Sequence, residues 1–163
     1  MSGNPISDAL KMIPYGFYAL GSKQGDEENI MVLNWLTQAS FEPQLLAVAI
    51  QKTAYSYGLI EGSGQFTLSI LRAEDQEAIA GFTKSRAKNP DKMKEAAVSP
   101  GPQTGAPVLN AAAAYLECRV TQKLDTGGDH DIFLAEIINA EVRQSGKPGE
   151  TLNLPEMGWS YAG

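Results

Sequence analysis

Strand-like segments recur along most of the chain and are separated by turn-forming residues. Branched and alternating apolar residues are typical of strands, and the Gly-Asp, Gly-Ser-Gly and Gly-Gly steps between them are typical of turns. The predicted strands cover residues 17–22, 30–35, 45–50, 65–71, 114–124 and 131–143. They do not alternate regularly with helices, which disfavours a doubly wound parallel sheet. We expect a mainly β fold, an antiparallel barrel that is closed or nearly closed, with a few helices packed outside it.

Helical segments are few, and the last two strands form a predicted hairpin. The predicted helices cover residues 7–12, 54–61 and 73–83, with a further turn or two at 91–96. The hairpin loop is centred on Thr126-Gly127-Gly128-Asp129-His130 and carries the only histidine. Residues 99–107 form a loop rather than a linker, because too little chain follows for a second domain. We therefore expect residues 1–163 to form one domain.

Charge and composition exclude several classes of function. The formal net charge is −6, and the densest basic cluster, Lys84-Ser85-Arg86-Ala87-Lys88, is predicted to be a solvated helix end rather than a nucleic-acid surface. No stretch approaches the roughly 20 apolar residues of a membrane span. The N-terminus lacks the pattern of a secretory signal, so a cytoplasmic location is expected. One cysteine and one histidine are too few for a Cys-rich or His-rich metal site.

Residues 34–52, NWLTQASFEPQLLAVAIQK, combine a polar and aromatic half with an apolar half. The apolar run 45–50 predicts a strand buried on both faces. The polar half, which ends in a turn at Glu42-Pro43, has two interpretations. In one, Asn34 and Thr37 line a cleft and hydrogen-bond the edge of a flat heteroaromatic ring. In the other, Trp35 is a core or interface aromatic and the neighbouring hydroxyls are turn residues.

The junction after the apolar strand has the residue types of an anion site. Lys52, Thr53, Tyr55 and Ser56 precede or open the predicted helix 54–61. A helix N-terminus presents unpaired N–H groups and the positive end of the helix dipole, which favour an anion. The alternative is that Thr53 caps the helix while Lys52 points into water, which is the commoner arrangement on spacing alone.

The hairpin loop is the third candidate. A glycine pair next to an acid and a histidine suits a hairpin, and the motif is too short to specify a reaction. His130 either lies exposed in the loop or serves as a group of near-neutral pKa that meets a second substrate at a pocket mouth.

Six blocks of sequence join these candidates. They are N-x-M-x-x-N-W-L-T-Q-A-S-F-E-P from Asn29, L-L-A-V-A-I-x-K-x-x-Y-S-x-x-L-I, S-G-Q-F-T-L-S-I-L, T-G-A-P-V-L, A-Y-L-E-C-R-V and G-D-H-D-I-F-L-A-E-I. In type and order they resemble the flavin-reductase-like family of FMN-binding split barrels, over roughly residues 10–142. Within that family the chain resembles the flavin-reductase domain of diflavin flavoproteins, flavoredoxin and the reductase components of two-component monooxygenases.

The resemblance implies a Greek-key, antiparallel FMN-binding split β-barrel with a few peripheral helices. It also implies a homodimer with the flavin near the subunit interface. The residues that it implies to contact the isoalloxazine ring are Asn34, Trp35, Leu36, Thr37 and Gln38. Those that it implies to hold the phosphate are Lys52, Thr53, Tyr55 and Ser56. Phe82 and Ser85 would lie near the flavin of the partner subunit, and Asp129 and His130 on the nicotinamide side of the pocket.

The implied function is an NAD(P)H-dependent flavin reductase, with FMN in preference to FAD as the flavin. Hydride passes from nicotinamide to flavin without a protein acid or base, so no catalytic residue is predicted. An alternative is an electron-transfer flavoprotein, reduced by a redox protein partner without NAD(P)H. A third is a split barrel that binds haem, for which only His130 offers a conventional axial ligand.

The chain departs from the family pattern at two places. Val32-Leu33 replaces the small, hydroxyl-bearing pair that commonly precedes the ring-binding segment, and Gln44 stands where a second proline is usual. Trp159 and Tyr161 near the C-terminus either strap the chain to the barrel or cover a flavin or the partner's groove.

Overall fold

The computed structural model describes residues 3–153 and Gly158. The strands are β1 (Tyr18–Gln24), β2 (Glu27–Leu33), β3 (Leu36–Ser40), β4 (Leu45–Gln51), β5 (Gln65–Ile70), β6 (Val98–Pro100), β7 (Pro107–Leu109), β8 (Ala114–Asp125) and β9 (His130–Val142). The helices are α1 (Pro5–Leu10), α2 (Tyr55–Ser63) and α3 (Glu77–Ala80), with single 3-10 turns at Ala73–Asp75 and Pro148–Glu150. Seven strands form one antiparallel sheet in the order β2-β1-β5-β8-β9-β4-β3, and β6 pairs with β7. The prediction of a mainly β, antiparallel fold is confirmed.

All six predicted strands are present with shifted ends, but three further strands were not predicted. Of these, β3 is the one that matters for the site. It pairs only with β4, and the side chains of Thr37 and Gln38 are exposed. A polar edge strand of this kind lacks the apolar alternation by which strands are predicted. As a result, Asn34 and Trp35 form the connection between β2 and β3 rather than the end of β2.

The helices differ more from their predictions than the strands do. The single helix predicted over residues 73–83 is instead a 3-10 turn followed by the one-turn α3. Residues 91–95 form turns. Backbone hydrogen bonds of successive turns, such as that from the N–H of Lys94 to the carbonyl of Asp91 at 2.9 Å, order the chain between α3 and β6. In the described part of the chain, no helix combines the length and the apolarity needed to cross a membrane.

Two apolar clusters form the core. One lies around Phe66 and Phe133 and gathers side chains from the sheet and α2; the other lies around Phe17 and Ile79. Burying aliphatic and aromatic side chains of this size contributes roughly 1.5–3 kcal/mol each. These clusters fix the sheet and so fix the ends of its strands.

The prediction that residues 45–50 are buried on both faces is wrong. Leu46, Val48 and Ile50 are at most 2% exposed, whereas the residues between them, Leu45, Ala47 and Ala49, are half-buried. The less buried face of β4 lines two clefts, so its small alanines leave space rather than fill a core.

The β8–β9 hairpin forms as predicted and its tip is tied to the end of β4. Gln51 of β4 pairs with His130 of β9. The N–H of Lys52 donates to the carbonyl of Asp129 at 2.9 Å. Gly127 in the loop has a φ of 72°, a left-handed conformation that glycine adopts without steric cost. These contacts hold His130 beside the junction of β4 and α2.

Candidate functional site

A cleft of about 710 Å³ opens where the β2–β3 connection, the β4–α2 junction and residues 82–92 meet. The predicted site residues that line it are Asn34, Trp35, Thr53, Tyr55, Phe82, Ser85 and His130. The volume lies within the range of about 300–1,000 Å³ that is usual for ligand and cofactor sites. The fold thus brings the three candidate segments of the sequence to one cleft.

Asn34 presents an unused hydrogen-bond donor at this cleft. Its Nδ2 atom is buried and has no hydrogen-bond partner among the described residues. Leaving a buried donor unpaired costs about 1–3 kcal/mol, so such groups in native proteins call for an explanation. An acceptor atom of a bound ligand supplies one.

Trp35 and His130 form an aromatic wall of the cleft. Their ring centroids are 4.7 Å apart and the rings are tilted by 51°. The Nδ1 atom of His130 lies 2.7 Å from a carboxylate oxygen of Asp129, and this hydrogen bond lowers the pKa of Asp129. Because Nδ1 is engaged by Asp129, Nε2 is the imidazole atom left for a further partner. Asp129 itself is exposed and does not line the cleft.

The other three residues of the predicted ring segment do not line this cleft. Leu36 and Thr37 lie in β3 and line a second, mainly apolar cleft of about 350 Å³, which also contacts Trp35. Gln38 is exposed and lines neither cleft. The structure therefore separates Asn34 and Trp35 from the rest of the segment, with Trp35 between the two clefts.

Lys52 is engaged by carboxylates rather than directed into the cleft. Its Nζ lies 3.1 Å from Asp125 and 3.5 Å from Asp131, and the hydrogen bond to Asp125 raises the pKa of Lys52. The hydroxyl of Tyr57 donates to the other oxygen of Asp131 at 2.6 Å. Lys52 thus joins the start of α2 to the β8–β9 hairpin, and it does not simply point into water.

The start of α2 has backbone donors available at the cleft. Its N-cap residue is Ala54, and no side chain in the described structure caps it. The expectation that Thr53 caps the helix is therefore wrong. Thr53, Ala54 and Tyr55 all line the cleft, so the positive end of this nine-residue helix faces it.

Ser56, the second residue of α2, is buried and is held by a network that the sequence analysis missed. Its hydroxyl accepts a hydrogen bond from Nδ2 of Asn29 at 2.9 Å. The Oδ1 atom of Asn29 accepts in turn from Nη1 of Arg86 at 3.3 Å, and Arg86 also donates to the carbonyl of Glu28 at 3.0 Å. Ser56 does not line the cleft; it fixes the helix that does.

Tyr55 connects the same network to the rim of the cleft. Its hydroxyl donates to the carboxylate of Glu27, which raises the pKa of the Tyr55 phenol. The guanidinium of Arg86 lies over the Tyr55 ring, 4.9 Å from its centroid. Cation–π contacts of this kind are worth about 0.5–1 kcal/mol at exposed sites.

The basic cluster 84–88 does not lie at the end of a helix, so that part of the prediction is wrong, although four of its five residues are exposed as expected. Arg86 is half-buried against β2, and Lys84 and Arg86 both line the cleft. Lys92, which was not singled out in the sequence, also lines it. In the sequence, only the density of positive charge distinguished the cluster. Because the segment forms turns rather than the predicted helix, its cations lie at the cleft instead of at a helix end.

Lys92 is the most unusual of these cations. Its side chain is part of a residue only 9% exposed, and its ammonium donates to the carbonyl of Lys84 at 3.0 Å. Burial, together with the nearby charge of Arg86, lowers the pKa of Lys92 to about 8. The cleft is therefore positively charged along the wall formed by residues 84–92, and the neutral Asn34 also lines it.

Comparison with known proteins identifies the family. The model of the flavin reductase like domain matches residues 10–156. The chain belongs to the flavin reductase like family. The resemblance inferred from the six blocks is thereby confirmed. The predicted tail residues Trp159 and Tyr161 lie outside the residues that the structure describes.

Relatives in this family include a putative diflavin flavoprotein A 3 from Nostoc sp., which is 30% identical over 144 residues. That match covers 88% of this chain and 25% of the relative. The chain thus spans about a quarter of the length of the curated diflavin flavoprotein that it matches.

Solved structures agree with the family. The NADH:FAD oxidoreductase SgcE6 of Streptomyces globisporus has a TM-score of 0.72 and 28% identity, over 82% of this chain and 74% of that chain. An FMN-binding protein from Thermus thermophilus has a TM-score of 0.83 over 99% of this chain and 93% of that chain. Because the two sequences are only 20% identical, this similarity supports the fold alone. The split β-barrel prediction is confirmed.

The cleft fits the flavin that this family implies. A flavin ring has a flat apolar face and an edge of carbonyl and nitrogen acceptors. Trp35 supplies an aromatic surface, and Nδ2 of Asn34, which no described residue engages, supplies a donor for such an edge. The uncapped start of α2 and the basic wall suit a phosphate.

Proposed function

We propose that the protein is an FMN-binding flavin reductase that transfers hydride from NAD(P)H to flavin. The observation that carries this proposal is the buried Nδ2 of Asn34, which has no hydrogen-bond partner among the described residues and lies in a cleft walled by Trp35 and His130. Family membership and the flavin reductases among its structural neighbours support the flavin as the ligand. A cytoplasmic location is part of the same proposal.

When bound, the flavin supplies the ring that accepts the hydride, and the protein supplies binding, orientation and electrostatics. Asn34 would hold the polar edge of the ring, and Trp35 would cover it from water. Thr53, Tyr55 and the backbone N–H groups at the start of α2 would hold the phosphate. No side chain is required as an acid or a base.

His130 would meet the nicotinamide at the mouth of the cleft. Its Nδ1 is fixed by Asp129, which sets the orientation of the ring beside Trp35. Phe82 and Ser85, which the resemblance assigns to the flavin of the partner subunit, line the cleft of their own chain, so we propose that they contact the flavin bound there.

A homodimer is the proposed assembly, with the second cleft as part of its interface. Leu36 and Thr37 line that cleft together with Trp35, which also lines the flavin cleft. A partner subunit bound in the second cleft would be separated from the flavin by the side chain of Trp35. Leu36 and Thr37 would then act at the interface and Gln38 at its edge.

The test is to purify the protein, load it with FMN and add NADH or NADPH without air while the visible spectrum is recorded. We expect the visible absorbance of the oxidised flavin to bleach on the timescale of turnover. A variant with Asn34→Leu should bind FMN at least about tenfold more weakly. Loaded protein that neither nucleotide bleaches would refute the reductase and favour an electron-transfer flavoprotein reduced by a protein partner. Protein that cannot be loaded would refute both.

A further inference from the structure

The tip of the β8–β9 hairpin carries His130 and is largely exposed to solvent. Residues 121–129, which form the end of β8 and the loop, are all exposed. Asp129 orients the imidazole through its hydrogen bond with Nδ1, but Asp129 is itself exposed and belongs to the same loop. That bond therefore does not tie the loop to the barrel. Other contacts have to fix where the imidazole lies relative to Trp35.

Asp131, the residue after His130, is a buried carboxylate with two partners outside the hairpin. It is 3% exposed. Its Oδ2 atom accepts a hydrogen bond from the hydroxyl of Tyr57 in α2 at 2.6 Å, and its Oδ1 atom lies 3.5 Å from Nζ of Lys52. Aspartates are almost never fully buried unless they are paired. Both partners of this carboxylate come from the β4–α2 junction, more than seventy residues earlier in the chain.

Lys52 also neutralises a repulsion within the hairpin. Asp125 of β8 lies directly opposite Asp131 of β9 in the ladder. Like charges directly opposite each other on paired strands are destabilising. The ammonium of Lys52 lies 3.1 Å from Asp125 and 3.5 Å from Asp131, so one cation serves both carboxylates. Asp125 in turn accepts from the N–H of Gly127 at 2.8 Å, which carries the order into the loop.

Tyr57 connects the same carboxylate to the helix whose start faces the flavin cleft. The ring of Tyr57 packs edge-on against Phe133, with centroids 5.4 Å apart and an interplanar angle of 74°. The ammonium of Lys123 lies 5.7 Å from the centroid of the Tyr57 ring. These contacts hold the hydroxyl in place on α2. The position of the hairpin tip is thereby referred to the helix that lines the cleft with Tyr55.

We propose that Asp131 is a positioning residue for His130. Lys52 and Tyr57 act through its carboxylate to hold the imidazole where the nicotinamide is bound. None of these three partners lines the flavin cleft, so their effect on the site passes through the hairpin. The inference rests on the proposed function, because that function gives His130 its place on the nicotinamide side. The alternative is that the β4–β9 ladder, in which Gln51 pairs with His130, fixes the imidazole by itself.

The first measurement follows the imidazole directly in the full chain without added flavin. His130 is the only histidine, so protein produced without a histidine tag gives a single set of imidazole signals in a proton–nitrogen NMR spectrum. The ring of Trp35 lies 4.7 Å from that of His130, centroid to centroid. Its ring current shifts the imidazole signals, so they report any change in the position of one ring relative to the other.

The variants remove one partner of Asp131 at a time and leave β9 unchanged. They are Lys52→Met and Tyr57→Phe, with Lys52→Arg as the variant that keeps the cation. Tyr57→Phe removes only a hydroxyl, so it tests the inference even if Lys52→Met does not fold. The matched control is Arg119→Met, which breaks an exposed ion pair with Glu136 on the same two strands.

The second measurement separates the nucleotide from the flavin. It compares KM values for NADH and NADPH in the FMN-loaded protein with the dissociation constant for FMN, from quenching of flavin fluorescence. We expect the imidazole signals to move in Lys52→Met and in Tyr57→Phe, and the nucleotide KM to rise about three- to tenfold. The dissociation constant for FMN should change by less than about threefold. Lys52→Arg should return both readouts towards wild type, and Arg119→Met should match wild type.

Three results would overturn the inference. Imidazole signals that keep their wild-type position in Lys52→Met or in Tyr57→Phe would show that the β4–β9 ladder alone fixes the ring. Equal rises in the nucleotide KM and the FMN dissociation constant would show that Asp131 supports the whole cleft. Signals that move while the nucleotide KM stays constant would show that the position of His130 does not affect the nucleotide.

Failure of the proposed function gives a different result. Wild-type protein that binds FMN but is reduced by neither NADH nor NADPH would refute the flavin reductase. The imidazole signals of His130 would still report whether Asp131 positions the ring, because that measurement requires neither flavin nor nucleotide.

Discussion

The side-chain amide of Asn29 in β2 donates a 2.9 Å hydrogen bond to the buried hydroxyl of Ser56 at the start of α2. Asn29 is 2% exposed and Ser56 is fully buried, so neither group has ready access to water if the bond is lost. The same asparagine accepts from Arg86. One side chain therefore joins three walls of the cleft.

Replacing Asn29 by alanine should destabilise the protein and loosen the cleft. The change leaves the hydroxyl of Ser56 without its donor and removes one acceptor from Arg86, at a cost of about 1–3 kcal/mol. For a chain of this size that corresponds to a fall in Tm of roughly 2–12 °C. Thermal unfolding followed by circular dichroism measures it. Gln144→Ala, at an exposed position, is the control. Equal Tm values for the two variants would contradict a stabilising role for the hydrogen bonds of Asn29.

Replacing Asn34, in contrast, should weaken flavin binding without lowering the stability of the ligand-free protein. Its Nδ2 is buried and unpartnered within the described structure, so Asn34→Leu removes a donor that costs stability in the ligand-free protein. We expect the Tm without flavin to stay constant or rise, while the dissociation constant for FMN increases about tenfold. The measurement is a pair of thermal unfolding curves and a flavin titration. A fall in Tm without any change in FMN affinity would show that Asn34 has a structural partner instead.

The different success of the predictions has a physical cause. Apolar periodicity identified the six longer strands because burial of alternate side chains is what makes those strands stable. It missed β3 because Thr37 and Gln38 are exposed on an edge strand. Asn34, Trp35 and His130 were placed from the resemblance, and the structure brings them to one cleft.

The roles of Lys52 and Lys92 depended on partners distant in sequence. Lys52 had the right position for an anion site, but Asp125 and Asp131 reach it from the hairpin more than seventy residues away. Lys92 looked like one lysine in a polar stretch, and only the turns between α3 and β6 bury it. Local spacing does not show which cations are already paired.

Lys52→Met should therefore have little effect on FMN binding. The side chain is already engaged by the exposed Asp125 and the buried Asp131, so its charge is committed to these carboxylates and not to a phosphate in the cleft. We expect the FMN dissociation constant to change by less than about threefold, against the ten- to hundredfold change expected for Lys92→Met. Parallel fluorescence titrations of the two variants provide the comparison. A larger effect at position 52 than at position 92 would return the phosphate to Lys52.

Because of Glu117, the stability of the protein should decrease at acidic pH. This fully buried carboxylate accepts from the backbone of Gln103 and Thr104, the Thr104 hydroxyl and the amide of Asn139. Burial alone would raise the pKa of Glu117, but these hydrogen bonds outweigh it and the pKa is lowered. A folded-state pKa below that of the unfolded chain gives stability that is present above the ordinary value of 4.5 and is lost as the pH falls through the folded-state pKa.

The Tm of the wild-type protein should accordingly fall more steeply below about pH 4.5 than that of Glu117→Gln. The glutamine variant should have the lower Tm at pH 7, because its amide cannot accept from all the donors that face Glu117. Unfolding curves between pH 7 and pH 3 test both statements. Glu95→Gln, at an exposed position, controls for the general loss of negative charge. Parallel Tm profiles for wild type and Glu117→Gln would sink the assignment.

Because of Lys92, binding of a phosphate in the cleft should weaken at alkaline pH. Its pKa in the ligand-free protein is lowered from 10.5 to about 8 by burial and by Arg86. The folded protein therefore binds fewer protons than the unfolded chain between these values, so its own stability rises with pH across that window. Recognition of a phosphate needs the charged ammonium, so it is present below pH 8 and weakens above it. The other titratable or charged side chains that line the cleft are Tyr55, Lys84, Arg86 and His130.

The measurable quantity is the ratio of riboflavin to FMN dissociation constants between pH 7 and pH 9.5. We expect this ratio to fall about tenfold or more in the wild-type protein, with a midpoint near or above pH 8, because bound phosphate holds the proton on Lys92. Lys92→Arg should keep a constant ratio, since arginine stays charged throughout this range. The riboflavin arm removes effects of Tyr55 or His130 on ring binding. A wild-type ratio that is independent of pH, with the arginine variant unchanged, would show that the phosphate does not meet Lys92.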